Sequence, residues 1–306
     1  MILSIPFLAS RLEQFSPTAV EAGFGVEASV FDRHDLIDTE TWRCIRNNTQ
    51  WIAREYSPSS YTFHFPVNDC NYVKDPVVRQ RLWECLDLVE ACKMDGMVLH
   101  SNLVYPTDDW VKLDVSRKRD EYLMFLEELR SRVAGRNLWI GLENMPIHGN
   151  DATELDPLLV YPRDFEGMVG GNIGVTWDFC HFSYSVHVSQ LILSGAFGER
   201  DEYPRLQSAR YHDFLALGDA IVHYHFSAFR GLASRRLGTK CIEGVAPWEG
   251  DLEEAVYSEA FALLCSTSVK AVTLEIREHD YCNRNAVQEV ARWCSAILAG
   301  GQKGTQ

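Results

Sequence analysis

Four apolar stretches in this chain end alike, each with one metal-capable side chain at or near its C-terminal end. They are LWIGLENMP with Glu143, GVTWDFCHF (174 to 182) with Asp178, IVHYHFSAF with His225 and AVTLEIRE with Glu275. Each reads as a short buried strand. Four such residues on successive strands converge if the strands lie side by side in a closed parallel barrel. This recurrence constrains the fold more than any other feature of the sequence.

The rest of the chain agrees with that frame. Strand-like runs fall at 2–7, 25–31, 60–67, 97–102, 137–145, 174–182, 220–229 and 269–277, with helical segments between them. Between 75 and 94, Val78, Leu82, Cys85, Leu86, Val89 and Cys92 repeat at the three-and-four spacing of one buried helix face. A second helix covers 115–134, with Gly135 as its stop. Further helices are expected near 162–169, from 252 to about 266 with Asp251 as cap, and over 284–299. The connection 183–217 is expected to hold two helical pieces around GAFGERDEYP, and the loop PIHGNDATELDPLLVYP to be polar and to cover the site. Strands alternating with helices argue for parallel βα units. Eight units predict an α/β fold, a single (β/α)8 TIM barrel over residues 1–300 with a flexible tail at 301–306. The alternative is a doubly wound open sheet; no GxGxxG follows the first strand, which weakens its dinucleotide-binding form.

Strand parity tests the convergence. Glu143 shares a face with Gly141 and Trp139, Asp178 with Thr176 and Gly174, His225 with His223, and Glu275 with Thr273 and Arg277. The opposite faces carry Leu138, Ile140, Leu142, Val175, Trp177, Val222, Tyr224, Val272, Leu274 and Ile276, suited to packing on helices. The polar faces therefore point into the barrel, with the four candidates at the C-terminal strand ends where barrel chemistry sits. His223 reads as an interior histidine. Three carboxylates brought together repel and are costly to bury unpaired. One divalent ion removes that cost. Three oxygen donors and one imidazole favour manganese, then zinc, then magnesium, and cobalt also suits the set.

The formal net charge of −14 speaks against a nucleic-acid partner, because gripping a phosphate backbone requires Lys and Arg. It leaves room for a small anionic ligand held by one or two local cations. Nine cysteines without a CxxC pair fit a reduced, cytoplasmic protein, and Cys180 reads as packing. The opening MILSIPFLAS has no basic flank, and no run approaches ~18 apolar residues, so no membrane span is expected.

On these residues the chain resembles the xylose isomerase-like TIM-barrel superfamily, which includes sugar isomerases, 3-epimerases, dehydratases and a branch of metal-dependent apurinic endonucleases. LENMP, the Asp178-Phe179-Cys180-His181 run, His225 and Glu275 carry the resemblance, from GVEASVF to TLEIRE. It implies that Glu143, Asp178, His225 and Glu275 hold the metal and that His181 contacts a substrate oxygen. It also implies that Arg230 binds substrate, and that His64 and His100 contact substrate or a further metal. Two departures stand out. CIEGVAPWEGD holds Glu243 but no histidine where the endonuclease branch has further metal ligands, and Ser227 and Ala228 stand where an acidic residue is usual.

The reaction expected is proton transfer next to a carbonyl of a sugar or polyol ketone, through an enediolate, with Glu143 and Glu275 as the proton-moving carboxylates. Return of the proton to the same carbon epimerises, return to its neighbour isomerises, and loss of a hydroxyl dehydrates. A phosphoester hydrolase with several metals and a non-catalytic ligand-binding barrel are the rivals. Tyr105, Trp110 and Trp248 lie in loops on the same side, as a sugar-pocket lining or a homo-oligomer contact.

Overall fold

The computed structural model describes residues 1–198, 200 and 203–301. Eight strands close into a barrel: β1 (Ile2–Leu8), β2 (Gly25–Ser29), β3 (Tyr61–His64), β4 (Gly96–Leu99), β5 (Trp139–Glu143), β6 (Ile173–Asp178), β7 (Ile221–Phe226) and β8 (Ala271–Leu274). Each pairs in parallel with its sequence neighbours, and β1 with β8 completes the ring. The helices are α1 (Pro17–Glu21), α2 (Arg33–Ile37), α3 (Thr39–Glu55), α4 (Pro76–Ala91), α5 (Val115–Val133), α6 (Phe179–Leu193), α7 (Glu254–Cys265) and α8 (Asn285–Gly301). This is the single (β/α)8 barrel that the alternation of segments implies.

Local chemistry explains where the helices start. Asp75 accepts from the N–H groups of Val77 (2.8 Å) and Val78 (3.3 Å), with Pro76 following, so α4 begins there. Its apolar stripe, Val78, Leu82, Cys85, Leu86 and Val89, is buried in the core. Asp114 caps α5 in the same way, accepting from the Arg117 N–H at 3.0 Å.

Several boundaries differ from the sequence reading. The run 174–182 is not one strand: β6 stops at Asp178, whose Oδ1 accepts from the His181 N–H at 2.6 Å, and Phe179 to Phe182 form the first turn of α6. A single Asp at a strand end thus closes β6 and caps α6. The segment expected as a helix near 162–169 is only a 3-10 turn over Pro162–Phe165. Loop 146–162 is largely buried, with Ile147, Leu155 and Leu158 through Tyr161 inside, so it is a packed loop despite its polar residues, and its Asn150 lines the cavity at the site, as expected of a loop that covers it. After α6, the second piece of the long connection is a 3-10 segment, Asp213–Ala220, and residues 199, 201 and 202 of GAFGERDEYP lie outside the described residues. Asp251 does not cap α7, which starts after Glu253; its Oδ2 accepts from the Gly231 N–H at 2.8 Å and ties down the loop after β7. α8 runs to Gly301, so the expected tail 301–306 begins inside the helix, and residues 302–306 lie outside the described residues. Among the described residues no helix is long and apolar enough to cross a membrane.

Candidate metal centre

The inward faces of the strands stack polar side chains in two layers. The lower layer is centred on Glu27 of β2, which is fully buried. Its Oε2 accepts from the hydroxyls of Thr62 (2.8 Å) and Thr273 (3.3 Å) and lies 3.3 Å from His223 Nε2; its Oε1 lies 3.3 Å from His225 Nε2. His223 is the interior histidine that parity implies, bonded through Nε2 to Thr273 Oγ1 at 2.9 Å and stacked on Trp139 at 5.2 Å. This layer needs Gly141: a Cβ there would stand 2.1 Å from Thr176 Oγ1. Glu27 escaped the sequence reading although its setting, a lone acid in the run GVEASV, was the signal.

The upper layer lies at the C-terminal strand ends. Glu143 is 1% exposed and surrounded by imidazoles. His100 Nε2 is 2.8 Å and His64 Nε2 3.2 Å from its Oε2, and His225 Nδ1 is 3.2 Å from its Oε1. Glu275 follows β8; its N–H donates to Phe226 O at 3.2 Å, and its Oε1 is 3.4 Å from His225 Nδ1. Glu143, Asp178, His225 and Glu275 each present one ligand atom, and these four atoms all lie within 4.8 Å of one another. Ligands held about 2.1 Å from one ion stand roughly 3–4 Å apart, so a small closure completes the set.

The electrostatics of the cluster favour a cation. Burial pushes the Asp178 carboxyl up to about 8, with Glu143 and Glu275 adding to the rise. Its Oδ2 is buried without a hydrogen-bond partner. Burial also opposes ionisation of Glu143, but the charges and hydrogen bonds of His225 and His100 outweigh it and hold this carboxyl well below its usual range. His225 titrates well above the ordinary imidazole, because Glu275, Glu143 and Glu27 overcome its burial. An acid-rich, buried cluster with an orphaned carboxylate oxygen fits a divalent cation.

Above the cluster lies a cavity of about 460 Å³. Asp178, His181, Glu243 and Glu275 form its floor, while Glu143, His64, His100 and His225 are not among its lining residues and sit beneath. His64 and His100, expected to touch substrate or metal, are buried against Glu143. They do not line the cavity, but with Glu143 they present three ligand atoms within 4.8 Å of one another, a group that could hold a further metal ion. His181 does reach the cavity; its Nδ1 is 2.9 Å from Asn144 O and its Nε2 3.8 Å from Glu243 Oε2. Asp178 and Glu243 raise its titration well above the usual range against its burial. Arg230 is exposed at the end of a short strand, Ala228–Arg230, and does not line the cavity. That strand pairs with Ile242–Val245, and this hairpin brings Glu243 to the floor. Tyr105, Trp110 and Trp248 are also absent from the lining, whose aromatic rings are Phe7, Phe31 and Tyr281.

No family model matches the chain, and no curated protein matches it. Solved structures do. The TTHB071 protein from Thermus thermophilus, soaked with ZnCl2, is 18% identical over 98% of this chain and 99% of its own, with a TM-score of 0.61. An L-ribulose 3-epimerase is 13% identical over 100% of this chain and 99% of its own, with a TM-score of 0.60. The IOLI protein with a bound zinc atom is 13% identical over 98% of this chain and 97% of its own, with a TM-score of 0.59. At these identities the likeness is one of fold.

Proposed function

We propose that this barrel, whose fold is that of the xylose isomerase-like sugar epimerases, is a divalent-metal-dependent isomerase or epimerase of a sugar or polyol ketone. The observation that carries the reading is the meeting of Glu143, Asp178, His225 and Glu275 ligand atoms within 4.8 Å at the floor of a cavity. The epimerase and zinc-bound structures of the same fold support it. Those four residues would hold the ion, and the oxygen-rich set favours manganese. When bound, the ion supplies positive charge that offsets the negative charge developing on the substrate's oxygens.

The chain's own residues divide the remaining work. Glu275 lines the cavity with its side chain 30% exposed and is the carboxylate placed to take a proton from a substrate carbon. Glu143 is proposed to return the proton; because it is 1% exposed and does not line the cavity, that step requires the floor to open above it. His181 faces the cavity with Nε2 and orients a substrate oxygen. The carbon that receives the returning proton decides between epimerisation and isomerisation.

The test begins with elemental analysis of protein purified without chelator, beside a Glu143→Gln/Asp178→Asn variant. About one Mn, Co or Zn per chain, absent from the variant, supports the single site. A panel of ketoses and inososes is then incubated in D2O, and exchange next to the carbonyl is followed by NMR. No metal even after reconstitution overturns the reading, and two or three ions per chain would favour phosphoester hydrolysis instead.

A further inference from the structure

The cavity is divided by charge. Its floor is acidic, with Asp178, Glu243 and Glu275, but its lining also includes Arg11 and Arg277. These two come from neighbouring strands. β1 and β8 pair in parallel, Ser4 against Thr273, and each arginine follows the last residue of its strand, Leu8 or Leu274, by three positions. Both therefore emerge at one sector of the rim.

Neither guanidinium has a hydrogen-bond or ion-pair partner among the described residues, in a chain with 43 Asp and Glu against 29 Lys and Arg. Both arginines are exposed, and some others, such as Arg46 and Arg230, also lack a carboxylate among the described residues, whereas Arg33 pairs with Asp75 at 2.7 Å; what sets Arg11 and Arg277 apart is that both line the cavity. Two unpaired like charges at one concave rim gain nothing from each other.

The fold also commits a residue to Arg277. Gly244 has φ +80°, and a Cβ there would stand 2.7 Å from Arg277 Cγ and 2.9 Å from Glu275 O. The Arg277 N–H donates to Gly244 O at 2.7 Å. The stem of Arg277 thus runs through a slot that only glycine leaves open. Arg11 is fixed at its base, its N–H bonded to Leu8 O at 2.8 Å and its carbonyl accepting from the Gln14 N–H at 3.0 Å.

We propose that Arg277 and Arg11 form an anion subsite, and that the substrate is a carbonyl compound bearing a phosphate or carboxylate at the end remote from the reacting carbons. A guanidinium fork matches either group with paired, charge-assisted hydrogen bonds. The proposal rests on the reading of the floor as the reacting centre, and it narrows the substrate class from sugars to sugar phosphates or sugar acids.

The experiment uses the metal-loaded full chain and calorimetric titration with matched ligands: D-fructose, D-fructose 6-phosphate and D-fructuronate, with D-xylulose and its 5-phosphate. The Arg277→Met and Arg11→Met variants, which keep most of the stem, are titrated alongside. At least one anionic member is expected to bind about tenfold or more tightly than its neutral counterpart, and Arg277→Met to remove about 10–100-fold of that affinity. The phosphate and carboxylate arms identify the anion. Metal content and circular dichroism of Arg277→Met should match wild type, so that the loss belongs to the ligand. The proposal is overturned if no anionic member binds better than its neutral partner, or if Arg277→Met keeps the preference. Deuterium exchange separates the two readings. Anion binding that needs Arg277, without exchange in any ligand, would leave the subsite and remove the reaction. Exchange in a neutral ketose that binds as well as its anionic counterpart would do the reverse.

Discussion

Replacing Asp178 by Asn should make the metal-free protein more stable while destroying its metal site. The carboxyl is buried, its Oδ2 has no hydrogen-bond partner, and burial pushes its pKa up to about 8. An unfolded Asp titrates near 3.9, so at pH 7 the folded site opposes ionisation across about 3 pH units, a cost of about 4 kcal/mol as a ceiling. Asn keeps the Oδ1 that accepts from the His181 N–H and caps α6, and its amide adds no charge to the cluster. Burying the amide takes back about 1–2 kcal/mol, leaving a gain of roughly 2–3 kcal/mol. Unfolding entropy of about 2.1 cal/mol/K per residue over 306 residues converts this to a rise of about 3–5 °C in Tm. The pH dependence fixes the sign. Because the folded pKa is raised, wild-type stability from this group is complete below about pH 4 and is lost as pH climbs toward 8. Asn has no such slope, so the difference should widen across that window. Scanning calorimetry of chelator-treated wild type and variant at pH 5, 6, 7 and 8 measures it. Manganese should then raise the Tm of wild type and leave the variant unmoved. A variant less stable than wild type, or a difference flat with pH, would refute the electrostatic account of this site.

Glu275→Gln should abolish solvent-proton exchange into substrate, by about 10²–10⁴-fold, with little change in thermal midpoint because the side chain is partly exposed; unchanged exchange would remove Glu275 from the proposed chemistry. Glu27→Gln keeps the shape below the site but removes the charge facing His225 Nε2, and it should weaken metal affinity by about 10–100-fold in chelator competition. Retained affinity would mean that Glu27 does no more than fill the lower layer. Native thiol titration should show two fast-reacting cysteines, Cys44 and Cys282, of the nine in the chain. The thiols of Cys85 and Cys180 are pushed well up by burial and should react only on unfolding; early labelling of Cys180 would show that the cavity floor opens.

The barrel was legible because the four strands that carry the candidates show two faces in the sequence and the longer helices show an apolar stripe. The alternation of Gly141 and Glu143 against Ile140 and Leu142 is enough to orient β5, and the three-and-four spacing from Val78 to Cys92 marks α4. The four candidate ligands were legible for the same reason, since parity and strand-end position are local properties. Glu27 was not. It lies mid-strand in β2, all of whose residues are buried, so its partners His223, His225 and Thr273 come from strands nearly 200 residues or more away and meet it only when the barrel closes. The end of β6 was hidden differently. Asp178-Phe-Cys-His-Phe continues an apolar run, and periodicity alone does not separate a buried strand from the buried first turn of a helix.

The residues around the cavity show where such local reasoning stops. Arg230 and Glu243 sit on opposite strands of one hairpin, Arg230 against Ile242 and Phe229 against Glu243, with a register shift between Ala228 and Phe229. The family resemblance implied that Arg230 would bind substrate, but Arg230 is exposed and off the cavity lining, and Glu243 of the paired strand lines the floor instead. Glu243 then stands 3.8 Å from His181, and this neighbour outweighs burial and holds its carboxyl below the usual range. The same strand places Gly244 where Arg277 must pass. At this hairpin register the floor receives the acidic Glu243 and not Arg230, and the cavity's arginines come from the strand-end extensions of β1 and β8. The separation of an acidic floor from a basic rim is a product of hairpin register and barrel closure together. Both are set by pairing between segments distant in the chain, which is why no stretch of the sequence displays it.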